Sequence, residues 1–222
     1  MSSVRLDHLI VAAATLEQGA AWCQSKLGVT PRAGGKHPLM GTHNQVFKIA
    51  TPAFPLLYFE IIAIDPEAPA PPHPRWFGLD GTGLQSSLRE DGPRLIHAVA
   101  RSTMLDMHRW GLITVGQVPG DPVDLSRASA EGPLEWQMLV RKDGGMDNAG
   151  ALPTLLQWKG RHPAEAMPDS GVTLTALSLN GVGERARGVL RLWGVAVSPS
   201  GSPALRATLS TPKGEVILES DP

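Results

Sequence analysis

Two side chains sit where an ordinary protein core would not place them. His8 interrupts the apolar stretch LDHLIVAA (residues 6–13), and Glu60 lies inside PLLYFEIIAI (55–64) among Leu57, Phe59, Ile61 and Ile62. A carboxylate in such a run is costly to bury unless it is paired, protonated or bound to a cation. If both stretches are strands, alternation gives Leu6, His8 and Ile10 one face, and Tyr58, Glu60 and Ile62 one face. A further histidine, His97, stands at the centre of PRLIHAVA (93–100), with Leu95 and Val99 as its face mates. Imidazole and carboxylate groups gathered on paired strands suit metal ligation or proton transfer. The plain alternative for each histidine is a core imidazole with a backbone hydrogen bond. A slip of one residue in register would turn any of these groups to the other face.

The elements that must carry them repeat. Residues 5–12 read as a strand, followed by a helix over TLEQGAAWCQSKLG (15–28), where Thr15 and Gln18 have capping-box spacing and Gly28 takes the stop position. Leu16, Ala20, Cys23 and Leu27 make one apolar stripe on that helix, which assigns Cys23 to packing. Strands follow at 43–50 and 55–64, with a short one near Val29. The pattern then restarts: a strand at 93–100, a shorter helix at 103–111, and strands at 112–118, 134–141 and 154–160. A third, fainter copy has strand 172–179, helix 183–195 and two closing strands, ALRATLS and GEVILES; its Ala176 stands where the first copy has His8. The repeat recurs roughly every 85 residues. It divides the chain into a first module at 1–67, a Pro-rich connection at 68–92, a second module at 93–163 and a degenerate third at 170–222.

Gln157 takes the place in the second module's last strand that Glu60 takes in the first. The stretch GGKHPLMGTHN (34–44) offers His37, His43 and Asn44 beside glycines, either lining a cavity and binding substrate oxygens or capping a turn. Trp136 and Trp158 are core residues by default and a flat wall for an organic ligand otherwise. HPRW (73–76) has the look of a lid, or of a passive crossover. His108 and His162 read as ordinary helix-face and loop residues.

Composition excludes much else. Over 222 residues, 20 Lys and Arg stand against 21 Asp and Glu, so no basic field exists to hold a nucleic-acid backbone. The single cysteine can form no internal disulfide, which fits a cytoplasmic setting. The N-terminus has no secretory signal pattern, and no apolar run approaches the roughly 18 residues of a membrane span. No GxSxG elbow, P-loop or dinucleotide fingerprint is present.

The segments LDHLIVAAATLEQGAAWCQSKLGV, GGKHPLMGTHNQVFKIATP and YFEIIAIDPEAP resemble those of the vicinal-oxygen-chelate superfamily, which includes glyoxalase I, extradiol dioxygenases and bleomycin-resistance proteins. The likeness is to its glyoxalase-like group. It is specific over 5–67, moderate over 93–163 and weak beyond 170. It implies an α+β fold in which paired βαβββ modules form a cupped mixed sheet, here with a degenerate third module of βαβββ type. It also implies metal ligands from the first and last strands of each module: His8, Glu60 and His97, with Gln157 at the fourth place. Such a set would suit Fe, Mn, Ni or Zn. A neutral Gln157 departs from glyoxalase I, where a carboxylate moves the proton; His43 or Glu60 would serve as base here. His37, His43, Asn44, Gln157 and Trp158 are the expected substrate contacts.

The leading expectation is a metal-dependent isomerase, lyase or dioxygenase acting on a small organic molecule with vicinal oxygens. The competing one is a metal-free small-molecule binding or drug-sequestering protein of the same fold. Either way the partner is a small molecule, without nucleic acid or membrane. The third module would leave apolar surface uncovered, at about 25 cal/mol per Å², unless it packs on the others or pairs in a symmetric homodimer, which is the expectation.

Overall fold

The computed structural model describes residues 4–129 and 132–220. The first module runs β1 (Arg5–Ala12), α1 (Leu16–Lys26), β2 (Arg32–His37), β3 (Thr42–Lys48) and β4 (Tyr58–Ile64). Helix α1 begins where its sequence says it should. The Thr15 hydroxyl accepts from Gln18 N–H, and the Gln18 amide oxygen accepts from Ala14 N–H at 2.9 Å. It ends at Leu27, and Gly28 follows at φ +74°, a conformation only glycine takes without strain. The helix lies close on the sheet, since a Cβ on Gly19 would come within 2.4 Å of Ile61 Cγ2.

A connection at 65–93 contains α2 (Thr82–Glu90), and the second module then repeats the first: β5 (Arg94–Arg101), α3 (Leu105–Thr114), β6 (Asp121–Arg127), β7 (Leu134–Val140) and β8 (Thr154–Trp158). The strand expected at 112–118 is not there. Leu105, His108 and Leu112 recur at helical spacing and are buried, so the helix continues through the apolar run. The strand instead forms at Asp121–Arg127, an edge strand containing a proline and two aspartates with its exposed positions alternating. Helix α2 was not expected either, because Leu84 and Leu88 are its only apolar side chains.

Eight strands make one sheet in the order β2-β3-β4-β1-β5-β8-β7-β6. The modules join where β1 meets β5 antiparallel, while each first strand lies parallel to its own last strand, β1 to β4 and β5 to β8. The sheet curls until its edge strands β2 and β6 approach. Its convex face packs with α1 through Leu9, Val11, Phe47, Phe59 and Ile61. Its concave face holds Ile10, Ile62, Val99, Trp136, Met138 and Leu156, against which the connection inserts Trp76, Phe77, Leu79 and Leu88.

The third module keeps the element order, with β9 (Thr173–Asn180), α4 (Glu184–Leu190), β10 (Ala196–Ser198), β11 (Leu205–Thr211) and β12 (Gly214–Glu219). Its strand order is different. β9 lies between β10 and β11, not beside the last strand, giving β10-β9-β11-β12. Its apolar face, including Leu174, Leu177, Leu205 and Leu209, joins the convex core with Leu6, Leu9 and Leu95. That face is covered within the chain, and Ala176, the counterpart of His8, is exposed. Among the described residues no helix is long and apolar enough to cross a membrane.

Candidate active site in the cup

Regular alternation would put Asp7 on the convex side of β1, opposite His8. A register shift between Leu6 and His8 in the pairing with β5 makes Asp7 an extra, bulged residue, and both side chains face the cup. Asp7 Oδ1 then lies 2.7 Å from His8 Nδ1. His8 Nε2 faces Glu60 Oε2 at 3.2 Å, and the Asn44 amide donates to Glu60 Oε1 at 2.7 Å. Each ring nitrogen of His8 thus meets a carboxylate oxygen. Tyr58 stacks on the imidazole at 4.5 Å between ring centres.

Asp7 is wholly buried, and its second oxygen is also occupied. It accepts from Trp158 Nε1 at 2.9 Å and faces His162 Nε2 at 3.0 Å, with the Arg101 guanidinium 3.8 Å away. Burial alone would raise its pKa; His162 and His8 outweigh that and hold it well below the usual carboxylate range. Asn44 is fixed in turn by Gly35 N–H, which donates to its amide oxygen at 2.7 Å. Gly34 is required there, because a Cβ would lie 2.0 Å from the same oxygen.

His97 faces the cup too, through a matching bulge at Ile96. That shift sends Leu95, expected beside it, to the convex core. Thr154 N–H donates to His97 Nε2 at 3.2 Å, so that nitrogen is an acceptor and the proton sits on Nδ1, which donates to Gly150 O at 2.9 Å. The Thr154 hydroxyl completes the set, 2.9 Å from Nε2. Burial pushes the His97 pKa down to about 4. His37, buried against the edge of Trp76 and bonded to the Thr42 hydroxyl at 3.1 Å, is likewise pushed by burial to about 4.

The cup therefore brings together His8, Glu60, His97, Asn44, His37 and Trp158 of the expected residues. Two others lie outside it. His43 is on the opposite face of β3 from Asn44, its nearest acid being Asp65 at 3.9 Å. Gln157 turns to the convex side, where its amide oxygen accepts from Leu105 N–H at the start of α3. The neighbour of His97 that matches Glu60 by register is Thr154: Glu60 pairs with Ile10, two beyond His8, and Thr154 with Val99, two beyond His97.

The expected ligand set His8, Glu60 and His97 is not assembled as a metal site. Among the described residues no group of three or more His, Cys, Asp or Glu side chains is arranged to hold a metal ion. The physical reason is local: both nitrogens of His97 are committed to Thr154 and Gly150. Asp7 and His162, missed from the sequence, are the further polar residues of the site. A bulge hid the first. The second comes from a loop 155 positions further along the chain.

A cleft of about 520 Å³ opens beside this network between the curled edges of the sheet. Gly34 and Val46 line it, the first adjoining Asn44 and the second pairing with Glu60 across β3 and β4. Leu134 and Met167 add apolar wall, and Arg127 and Arg161 add charge.

Residues 6–193 match the model of a family described as glyoxalase-like domain. A search of curated proteins finds no match. Among solved structures, a hypothetical protein from Staphylococcus aureus aligns over 97% of this chain and 85% of its own, at 12% identity and a TM-score of 0.54. Methylmalonyl-CoA epimerase from Mycobacterium tuberculosis aligns over 70% of this chain and 87% of its own, at 16% identity and a TM-score of 0.38.

Proposed function

The chain belongs to the glyoxalase-like domain family, and we propose that it is an enzyme that moves a proton on a small organic substrate with neighbouring oxygens. One observation carries this reading: Glu60 is a buried carboxylate in the cup with His8 on one oxygen and Asn44 on the other. Glu60 is the proton acceptor. His8 supplies or removes the proton at Glu60 Oε2, and Asp7 fixes the ring by holding Nδ1. Asn44 orients the carboxylate and leaves its charge in place. Such a relay suits isomerase or lyase chemistry at a carbon beside a carbonyl. No step is assigned to a metal ion, since the donor residues do not fit one.

A second reading has its own support. Trp76 and Phe77 fill part of the cup, and His97 is closed off by Thr154, which suits a protein that binds a small molecule without turning it over. The test separates the two. Hydroxy-ketones, catechols and thiol adducts are incubated with the protein in D₂O, and deuterium uptake and product formation are followed by NMR, with and without added Fe(II), Mn(II), Ni(II) or Zn(II). The enzyme reading expects uptake beside the carbonyl, lost in Glu60→Gln. Ligand binding without exchange across the whole panel would favour the binding protein.

A further inference from the structure

A half-buried guanidinium is normally paired, because it keeps its charge in any surroundings. The other half-buried arginines obey this. Arg75 pairs with Asp80, Arg101 donates to Leu6 O and Pro55 O, Arg109 pairs with Asp121, and Arg141 with Asp143 and Asp147. Arg161 donates to the Ser129 hydroxyl and to Gly132 O, and Arg5 lies over the Trp193 ring. Arg127, the last residue of β6, is half-buried, and its guanidinium has no hydrogen bond or ion pair among the described residues.

Its position is specific. Arg127 reaches across the mouth of the cup to β2, where a Cβ on Gly35 would lie 3.0 Å from its Cδ and 3.1 Å from its Nη1, so the glycine makes room for it. Its charge is felt by His37 and Tyr58 inside the cup. It lines the cleft of about 520 Å³ together with Arg32, Lys48 and Arg161, against a single acid among the described residues, Asp169, that faces Lys48. The remainder of the wall is largely apolar, with Val46, Leu134 and Met167.

We propose that Arg127 anchors an oxyanion of the ligand. The molecule taken by the cup is then a small organic acid, with a carboxylate or phosphate at Arg127 and an apolar body along Val46, Leu134 and Met167. The proton-transfer reading is used only to decide that the other end points toward Glu60; the anion site stands without it. A guanidinium offers two parallel donors to either oxyanion, and a charged hydrogen bond of this kind changes affinity by about 10- to 100-fold.

The test titrates 4-phenylbutyrate, phenyl phosphate and the neutral methyl 4-phenylbutyrate into the full chain, reading backbone amides and arginine Nε–H signals by NMR. The expected result is that at least one anion binds about 10-fold or more tightly than the ester and shifts Arg127 and Gly34. The relative strength of the two anions shows which oxyanion is preferred. Arg127→Ala should abolish the preference, and Arg127→Lys should keep part of it while losing the second donor. Arg127→Gln stands in if the alanine variant does not fold. Equal binding of acid and ester, no binding of either anion at millimolar concentration, or an unchanged affinity in the variants would overturn the proposal. Glu60→Gln should bind the anions unchanged while losing exchange, so exchange retained in Glu60→Gln, or absent from the wild type, with anion binding intact is a failure of the proton-transfer reading alone.

Discussion

The two halves of the cup share one backbone plan and differ in chemistry. In each, a bulged residue precedes a histidine on the first strand, and a residue of the last strand meets that histidine from the same register position. In the first half these are Asp7, His8 and Glu60; in the second they are Ile96, His97 and Thr154. The bulge has to turn a side chain inward in both. Only in the first half is that side chain charged, and only there do Trp158, His162 and Arg101 converge on it. In the second half a neutral imidazole is satisfied by a hydroxyl and two backbone groups. The difference teaches that the repeated scaffold sets where a histidine points, while the residues on either side of it decide whether it is left poised or closed off.

The largest effect should come from breaking the first half at its base. Removing the Asp7 carboxylate leaves His8, His162 and the Trp158 N–H without their partner in a closed interior. Breaking one side of such a buried network costs about 3–5 kcal/mol. Asp7→Ala should therefore lower the unfolding free energy by about that amount in urea titrations. The reciprocal change, Ile96→Asp, places a carboxylate in the matching bulge with no donors waiting, and should cost a similar amount. A mild effect from Ile96→Asp would mean that the halves are more alike than their side chains indicate.

Activity should divide the halves the other way. Glu60→Gln preserves shape but removes the proton acceptor, and is expected to reduce exchange on any substrate that the wild type turns over by about 10²- to 10⁴-fold. His97→Ala should lower stability by about 2–4 kcal/mol, by leaving Gly150 O and Thr154 unpaired around a cavity, with the exchange rate per folded molecule unchanged. Rates normalised to the folded fraction decide the point. A rate in His97→Ala that falls as far as in Glu60→Gln would show that both halves work together.

Acid should act on the second half through His97. Its pKa is about 4 in the folded protein and near 6.5 when unfolded, so between those values the unfolded chain holds more protons. Stability conferred by His97 is therefore complete above about pH 7 and is lost as the pH falls toward 4, by about 3 kcal/mol. His37 contributes in the same window and in the same direction. Asp7 has the opposite charge type and a lower window: its stabilisation persists above about pH 4 and is lost only below it. Unfolding free energies of the wild type and His97→Gln, measured from pH 7 to pH 4, should differ in slope, the variant losing roughly half the dependence.

Much of this was legible in the residues. The repeated order of strand, helix and three strands followed from caps, stop glycines and apolar runs, and the cost of burying Glu60 pointed to a partner that proved to be His8. Asn44 was nominated from its loop and does bond Glu60. What failed was register. Alternation assigns Asp7 to the convex side, and only the bulge, a property of pairing between distant strands, turns it inward. His43 and Asn44 are adjacent, so one of them had to face away; the pairing of β3 with β4 decides which. Gln157 matches Glu60 in sequence by its place in the last strand, whereas the five-residue β8 aligns Thr154 there. His162 could not be found at all from local pattern, because a loop brings it to Asp7 from the far end of the second module.

The smallest of these effects isolates the support of Glu60. Gly34 sits on β2, and a Cβ there would overlap the Asn44 amide oxygen at 2.0 Å, with the Asn44 backbone oxygen behind it at 2.9 Å. Gly34 does not have a positive φ, so Gly34→Ala introduces no backbone strain and acts through crowding alone. The side chain it displaces is the one that orients Glu60 Oε1, while His8 and Asp7 are untouched. Overpacking of this kind costs about 1–3 kcal/mol. Gly19→Ala on α1 crowds Ile61 by a comparable amount, at 2.4 Å, but on the convex face of the same strand as Glu60. The pair is therefore a matched control: both should lose stability, and only Gly34→Ala should also lose exchange activity. Equal loss of activity in both would place the sensitivity in the position of β4 itself, and Asn44 would then be a spacer and not the residue that aims the carboxylate.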